Sequence, residues 1–128
     1  MTGNAHPPTL LLSSLSAKVA LYEGVLKSAK RYHEQATLIG ADCDPDCPGA
    51  SIVEVFSPIR PLADMDKGSI LEYCKELELT HVIPTRDGEL EFWANNQTGL
   101  AKHGVKVMVS SKEAIRLCQD KLLFCEAM

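Results

Sequence analysis

Long apolar runs are missing from this 128-residue sequence. No stretch approaches the ~20 apolar residues that a membrane helix needs, so a membrane partner is not expected. A basic stripe is missing too. Thirteen Lys and Arg stand against 17 Asp and Glu, for a net charge of −4. The cations are scattered, with Lys27, Lys30 and Arg31 in one stretch and Lys102 and Lys106 in another. A nucleic-acid partner, which calls for a clustered basic face, is not expected either. The start, MTGNAHPPTLLLSSLSA, has no basic segment and too short an apolar run for a secretory leader.

Metal-ligand spacing is also lacking. The five cysteines are Cys43, Cys47, Cys74, Cys118 and Cys125, an odd number that argues against a disulfide framework. Cys43 and Cys47 form a C-x-x-x-C pair, but no second pair accompanies them, and His6, His33, His81 and His103 are isolated. A structural zinc site takes about four ligands, so no metal is expected. Reduced thiols suit a cytoplasmic protein.

What remains is an ordinary globular balance, 45% hydrophobic and 23% charged, in a length that suits one domain. Residues 1–8, with Gly3, Asn4, Pro7 and Pro8, are expected to be a flexible tail. Short apolar runs then alternate with helical periodicity. Strands are expected at Thr9–Ser13, Ala36–Ala41, Ile52–Phe56, Thr80–Ile83 and Val105–Val109. The first helix is expected over Lys18–Gln35, where Val19, Tyr22, Leu26 and Ala29 recur at helical spacing. The second is expected after Asp64 or Asp66, either of which can cap it, with Ile70, Cys74 and Leu77 on one face. The third is expected over Gly88–Lys102, with Leu90, Trp93, Ala94 and Ala101 inward and Gly104 as its stop. A capping box, Ser110 to Glu113, opens a last helix carrying Ile115 and Cys118. This alternation predicts an α/β fold of three layers. It is a Rossmann-like, five-stranded, mostly parallel sheet in the order 3-2-1-4-5, with helices on both faces. The connection before the third strand is the short one for a parallel crossover.

In a parallel sheet the loops after the strands share one edge, where ligands bind. After strands one, two, four and five, those loops carry Ser13, Ser14, Ser16 and Lys18; Asp42 and Asp44; Thr85, Arg86, Asp87 and Glu89; and Ser110 and Ser111. Hydroxyls and helix N-termini suit an anionic ligand, whereas carboxylates suit an amine, a ribose hydroxyl or a metal. Each group also has a plainer job. The serines can cap a helix, as can Asp87. Asp42 can close an Asx-turn, and Arg86 and Glu89 can be solvated surface charges. No nucleophile with an adjacent base is visible, so no catalytic residue is assigned. The first turn, Ser13-Ser14-Leu15-Ser16-Ala17-Lys18, has no G-x-G-x-x-G for a dinucleotide, and no acidic pair to accept a phosphoryl group.

Four segments taken in order resemble the N-terminal, pre-ATP-grasp domain of ATP-grasp ligases. The branch is that of carbamoyl-phosphate-synthase-like proteins and the pyrrolysine-biosynthesis ligase. Ser13-Ser14-Leu15-Ser16-Ala17-Lys18-Val19 is similar to a family turn of the type T-S-A-G-x-R-V. Asp42-Cys43-Asp44-Pro45 resembles D-x-D-P, and Pro84-Thr85-Arg86-Asp87-Gly88-Glu89-Leu90 resembles P-T-x-D-x-E-L. GVKVMVSSKEAIRLCQDK, from Gly104 to Lys121, resembles the passage from strand five into the ATP-grasp region. Ser16 departs from the pattern, standing where the family has Gly, and Ala17-Lys18 replace a more basic pair.

The resemblance implies a pre-ATP-grasp domain over residues 9–119 and the start of an ATP-grasp region, cut short, over residues 120–128. It implies a role as the substrate-side part of a ligase that joins a carboxylate and an amine through an acyl-phosphate. ATP and Mg2+ would serve the full-length enzyme, with neither held tightly by this chain. The partners implied are a C-terminal ATP-grasp domain and a small carboxylate or amine. Lys121 would reach the ATP phosphates. Ser14, Asp42, Asp44, Thr85, Arg86, Asp87 and Glu89 would shape the substrate cleft. The chain alone is expected to be inactive, as an expressed fragment or a split gene product. Changing Arg86 or Glu89 is expected to raise KM with little loss of fold stability. Two other readings stay open: a freestanding Rossmann-type module for a nucleotide or small anion, and a homodimerisation domain using Leu77, Leu79 or Phe92-Trp93.

Overall fold

The computed structural model describes residues 7–108. Its strands are β1 (Thr9–Leu12), β2 (Thr37–Asp42), β3 (Phe56–Pro58), β4 (His81–Ile83) and β5 (Lys106–Val107). Its α-helices are α1 (Val19–Tyr32), α2 (Lys67–Glu76) and α3 (Leu90–Ala101). The five strands form one sheet in the order β3-β2-β1-β4-β5, and every neighbouring pair is parallel. The expected α/β fold and strand order are therefore present.

The central strand explains the layering. Leu10, Leu11 and Leu12 are all fully buried. Successive side chains point to opposite faces, so a strand covered on both sides reads as a continuous apolar run. Leu10 and Leu12 pack with Tyr22, Val25 and Ala29 of α1. Leu11 packs with Ile70 and Cys74 of α2 and with Trp93 and Leu100 of α3. One helix covers one face and two cover the other.

Local chemistry sets the element ends. The Asp66 side chain accepts the Ser69 backbone N–H at 2.8 Å and caps α2. That N–H holds the Asp66 carboxyl below its ordinary pKa. Gly104, at φ +82°, takes the left-handed conformation that ends α3. Burial pushes the Cys74 thiol up to about 11, so it behaves as a core group. The Tyr22 hydroxyl donates to the Leu38 carbonyl at 2.6 Å and accepts the Val55 N–H at 3.3 Å, clamping α1 to the sheet.

Several expectations shift. The third strand lies at Phe56–Pro58 rather than Ile52–Phe56. The β-branched run Ile52-Val53 is drawn into a 3-10 turn at Pro48–Ser51, where both N–H groups bond the Gly49 carbonyl. Ile52 is 61% exposed as a result. The crossover thereby lengthens to residues 43–55, which removes the difficulty of a short parallel connection. The first helix ends at Tyr32 because His33 turns to extended backbone, and β5 is confined to Lys106–Val107. In α3 the buried stripe is Trp93, Asn96 and Leu100, while Leu90, Ala94 and Ala101 face outward. Leu79 and Trp93, considered for a dimer surface, belong to the core. The Ser110–Glu113 capping box, the last helix, Ser111, Asp120 and Lys121 lie outside the described residues.

Candidate functional site

The carboxyl edge of the sheet opens into a cleft of about 650 Å³, within the size range of small-molecule sites. Its first wall is the turn after β1. Ser14 and Ser16 both hold left-handed backbone, at φ 57° and 48°, which is unfavourable for a residue with a Cβ. The surroundings enforce it. The Leu15 N–H bonds the Ala41 carbonyl at 2.8 Å, and the Leu15 side chain is fully buried. The Gly49 N–H donates to the Ser16 carbonyl at 2.8 Å, and a Cβ at Gly49 would stand 2.8 Å from that oxygen. Only a glycine lets the two loops approach so closely.

None of the three serines caps α1. Its N-terminus has Lys18 at the cap position and no side-chain cap bond. The Lys18 ammonium instead donates to the Ser14 carbonyl at 2.9 Å. A direct consequence concerns Ser16→Gly, which removes the Cβ penalty of the left-handed turn. It is expected to leave stability unchanged or to raise it by up to ~1 kcal/mol. Urea denaturation checks this, and a loss greater than ~1 kcal/mol would mean that the Ser16 side chain has a structural partner.

Asp42 forms the second wall. One carboxylate oxygen accepts the Asp44 N–H at 2.9 Å, the Asx-turn expected from sequence, and the other accepts the Ser16 N–H at 2.7 Å. Asp44 repeats the Asx-turn with the Asp46 N–H at 2.9 Å and does not line the cleft.

The third wall is the loop after β4. The Thr85 hydroxyl donates to the Ser13 carbonyl at 2.6 Å, with a longer reach of 3.1 Å to Ser14. Thr85 thus ties the β4 loop to the β1 turn rather than facing the cleft. Glu89 is the main departure from expectation. It is not a solvated surface charge: it is 2% exposed. Its carboxylate accepts from the Ser13 hydroxyl, from the Trp93 indole N–H at 2.9 Å, and from the backbone N–H groups of Arg86 and Thr85 at 3.1 and 3.4 Å. The reciprocal bond, Glu89 N–H to the Arg86 carbonyl, is 3.2 Å long. Arg86 is exposed, lines the cleft, and engages no acceptor with its guanidinium among the described residues. The Asp87 side chain is not described, and α3 has no side-chain cap at its N-cap position, Glu89.

The structure adds a fourth wall that sequence reading passed over. Ile59, Arg60, Pro61, Leu62 and Ala63, in the loop after β3, line the cleft opposite the α3 residues Glu91, Phe92 and Asn95. The signal was available, because the loop after a third parallel strand must join the same edge as the others. Ser14, Asp42, Arg86 and Glu89 come together here, whereas Asp44 and Thr85 support the walls from outside. Among the described residues no group of three or more His, Cys, Asp or Glu side chains could hold a metal ion. No described helix is long and apolar enough to cross a membrane.

A parallel 3-2-1-4-5 sheet with an open cleft at its carboxyl edge defines the class: a Rossmann-like α/β module. Within that class, the chain belongs to the PylC-like N-terminal domain family, whose model matches residues 10–108. The fold is also similar to the "Structure of glycinamide-RNase-transformylase T from Mycobacterium tuberculosis". That likeness has a TM-score of 0.57 at 8% identity, over 83% of this chain and 27% of the other. The chain thus spans about a quarter of the length of that structure's chain. No curated protein matches the sequence.

Proposed function

We propose that this chain is the substrate-side domain of an ATP-dependent carboxylate–amine ligase, contributing one wall of the substrate cleft and no catalytic group. The observation that carries this reading is the cleft at the carboxyl edge, in a chain of the PylC-like N-terminal domain family. Four loops converge there, and Arg86 is held at its rim with its guanidinium free among the described residues. In this reading ATP and Mg2+ belong to an ATP-grasp domain that completes the cleft. The described residues offer no metal-ligand set, and Lys121, the residue assigned to the phosphates by resemblance, lies outside them. In this reading the chain's own contribution is binding and orientation. Cys47 and Cys74, buried as free thiols, accord with a reducing, cytoplasmic setting.

The test uses an enzyme in which this domain is joined to an ATP-grasp domain. Arg86→Ala is expected to raise KM for one substrate about tenfold or more, through loss of a charged hydrogen bond. It should leave the unfolding midpoint unchanged, because only the Arg86 backbone supports the fold. Unchanged kinetics would return Arg86 to the role of a solvated charge. Magnesium-dependent ADP release by the pure 128-residue chain would overturn the reading altogether. A freestanding nucleotide module is the less favoured reading, because the Asp42 carboxylate, a group suited to a ribose hydroxyl, already spends an acceptor site of each oxygen on a backbone N–H.

A further inference from the structure

Among the described residues, the cleft is lined by equal numbers of formal charges of each sign. Lys18, Arg60 and Arg86 stand against Asp42, Glu89 and Glu91. They are not equally available to a ligand. Glu89 is buried and takes four internal donors, and Asp42 takes one backbone N–H on each oxygen. Glu89 therefore has little left to offer an incoming amine, whereas Asp42 keeps about half of its acceptor sites. Among the described lining residues, Glu91 is the acid with no hydrogen-bond partner. On the other side, the Arg86 guanidinium and the Ser14 and Ser16 hydroxyls make no hydrogen bond among the described residues. Lys18 has given one of its donors to the Ser14 carbonyl, and Arg60 has only a through-space interaction with Asp66. The spare hydrogen-bonding capacity of the cleft is therefore rich in donors. Beside those donors lie Ile59, Leu62 and Phe92, an apolar strip within the same cavity.

We infer that the cleft takes an amphipathic carboxylate, with its acid group on the Arg86 and Arg60 guanidinium groups and its hydrocarbon body against Ile59, Leu62 and Phe92. Arginine presents a planar fork that matches a carboxylate, and the apolar strip contributes affinity in proportion to the area it covers. The inference deepens the proposed function, on which it rests, by assigning the carboxylate rather than the amine to this wall.

The experiment needs no second domain. The full chain, isotopically labelled, is titrated with hexanoate, hexylamine and acetate at pH 7.5, and amide shifts are followed by NMR. Hexanoate is expected to bind saturably, moving signals from residues 59–63 and 86–92. Acetate should bind at least tenfold more weakly for want of the hydrocarbon body. Hexylamine should not saturate. Arg86→Gln should weaken hexanoate about tenfold or more, and Arg60→Gln should weaken it in the same direction. Amide spectra of both variants confirm the fold. Hexylamine binding as tight as hexanoate, hexanoate binding that neither variant alters, or no saturation by hexanoate at tens of millimolar would each overturn the inference. Because no ATP is present, this outcome is independent of the kinetics that test the ligase reading.

Discussion

Replacing Glu89 by alanine is expected to lower the stability of the chain by about 3–5 kcal/mol, because it strands several buried donors at about 1–3 kcal/mol each. The reason is geometric. The Glu89 carboxylate gathers donors from three places: the Ser13 hydroxyl after β1, two backbone N–H groups of the β4 loop, and the Trp93 indole in α3. Removing it leaves the indole N–H and the Ser13 hydroxyl buried without an acceptor, and each such loss costs about 1–3 kcal/mol. For a single domain of ordinary stability, that is a large fraction of the total. Glu89→Gln should cost less, about 1–3 kcal/mol, since an amide oxygen can serve one side of the network while its NH2 faces donors on the other. Chemical denaturation of both variants decides the matter. A loss below ~1 kcal/mol for Glu89→Ala would show that the network closes through water. Glu89 is thus expected to differ from its neighbour Arg86, whose guanidinium has no acceptor among the described residues.

Acid should weaken the protein through His81. This imidazole is 2% exposed, and its Nδ1 lies 2.7 Å from the Thr80 hydroxyl. Burial, with a smaller contribution from the nearby Lys106 ammonium, lowers its pKa from 6.5 to about 4. The unfolded chain therefore binds the extra proton first. Between pH 6.5 and 4 the unfolded state holds more protons than the folded one, so stability falls as the pH falls. The His81 contribution is fully present above pH 6.5, is lost progressively down to pH 4, and amounts to about 3 kcal/mol. Urea midpoints for the wild type and His81→Val, measured from pH 7.5 to 4.5, separate this effect from the exposed carboxylates. The variant should show a distinctly flatter profile, and parallel profiles would sink the assignment.

Much of the architecture was legible because strong local signals agreed with one another. The run Leu10-Leu11-Leu12 can only be a strand covered on both faces, and Asp66 and Gly104 punctuate their helices by side-chain capping and positive φ. The third strand was misplaced because the β-branched run Ile52-Val53 fits a strand in isolation. Its turn is dictated by Gly49 docking on Ser16, a contact between loops distant in sequence. The cleft was legible as an edge but not as a surface. Asp42 and Glu89 look alike as acids at strand ends, and only their hydrogen-bond partners show that one is a loop clamp and the other a buried hub. The serines after β1 carried the usual cap signature, yet the helix starts late, at Val19, because Leu15 is drawn into the core first.

The position of β1 in the middle of the sheet has a kinetic consequence. One of its neighbours, β2, follows after a single helix, but the other pairs Leu11 with Val82, far along the chain. Contacts so distant in sequence close slowly. As the chain emerges from the ribosome, Leu11 and Ile39 have no helical cover until α2 and α3 have been synthesised. The early β-α-β half is then expected to expose one apolar face and to be prone to stick to itself. A chain released after residue 66, before α2, is expected to aggregate, and restoring residues 67–108 in trans is expected to rescue it only if they arrive before that face finds another.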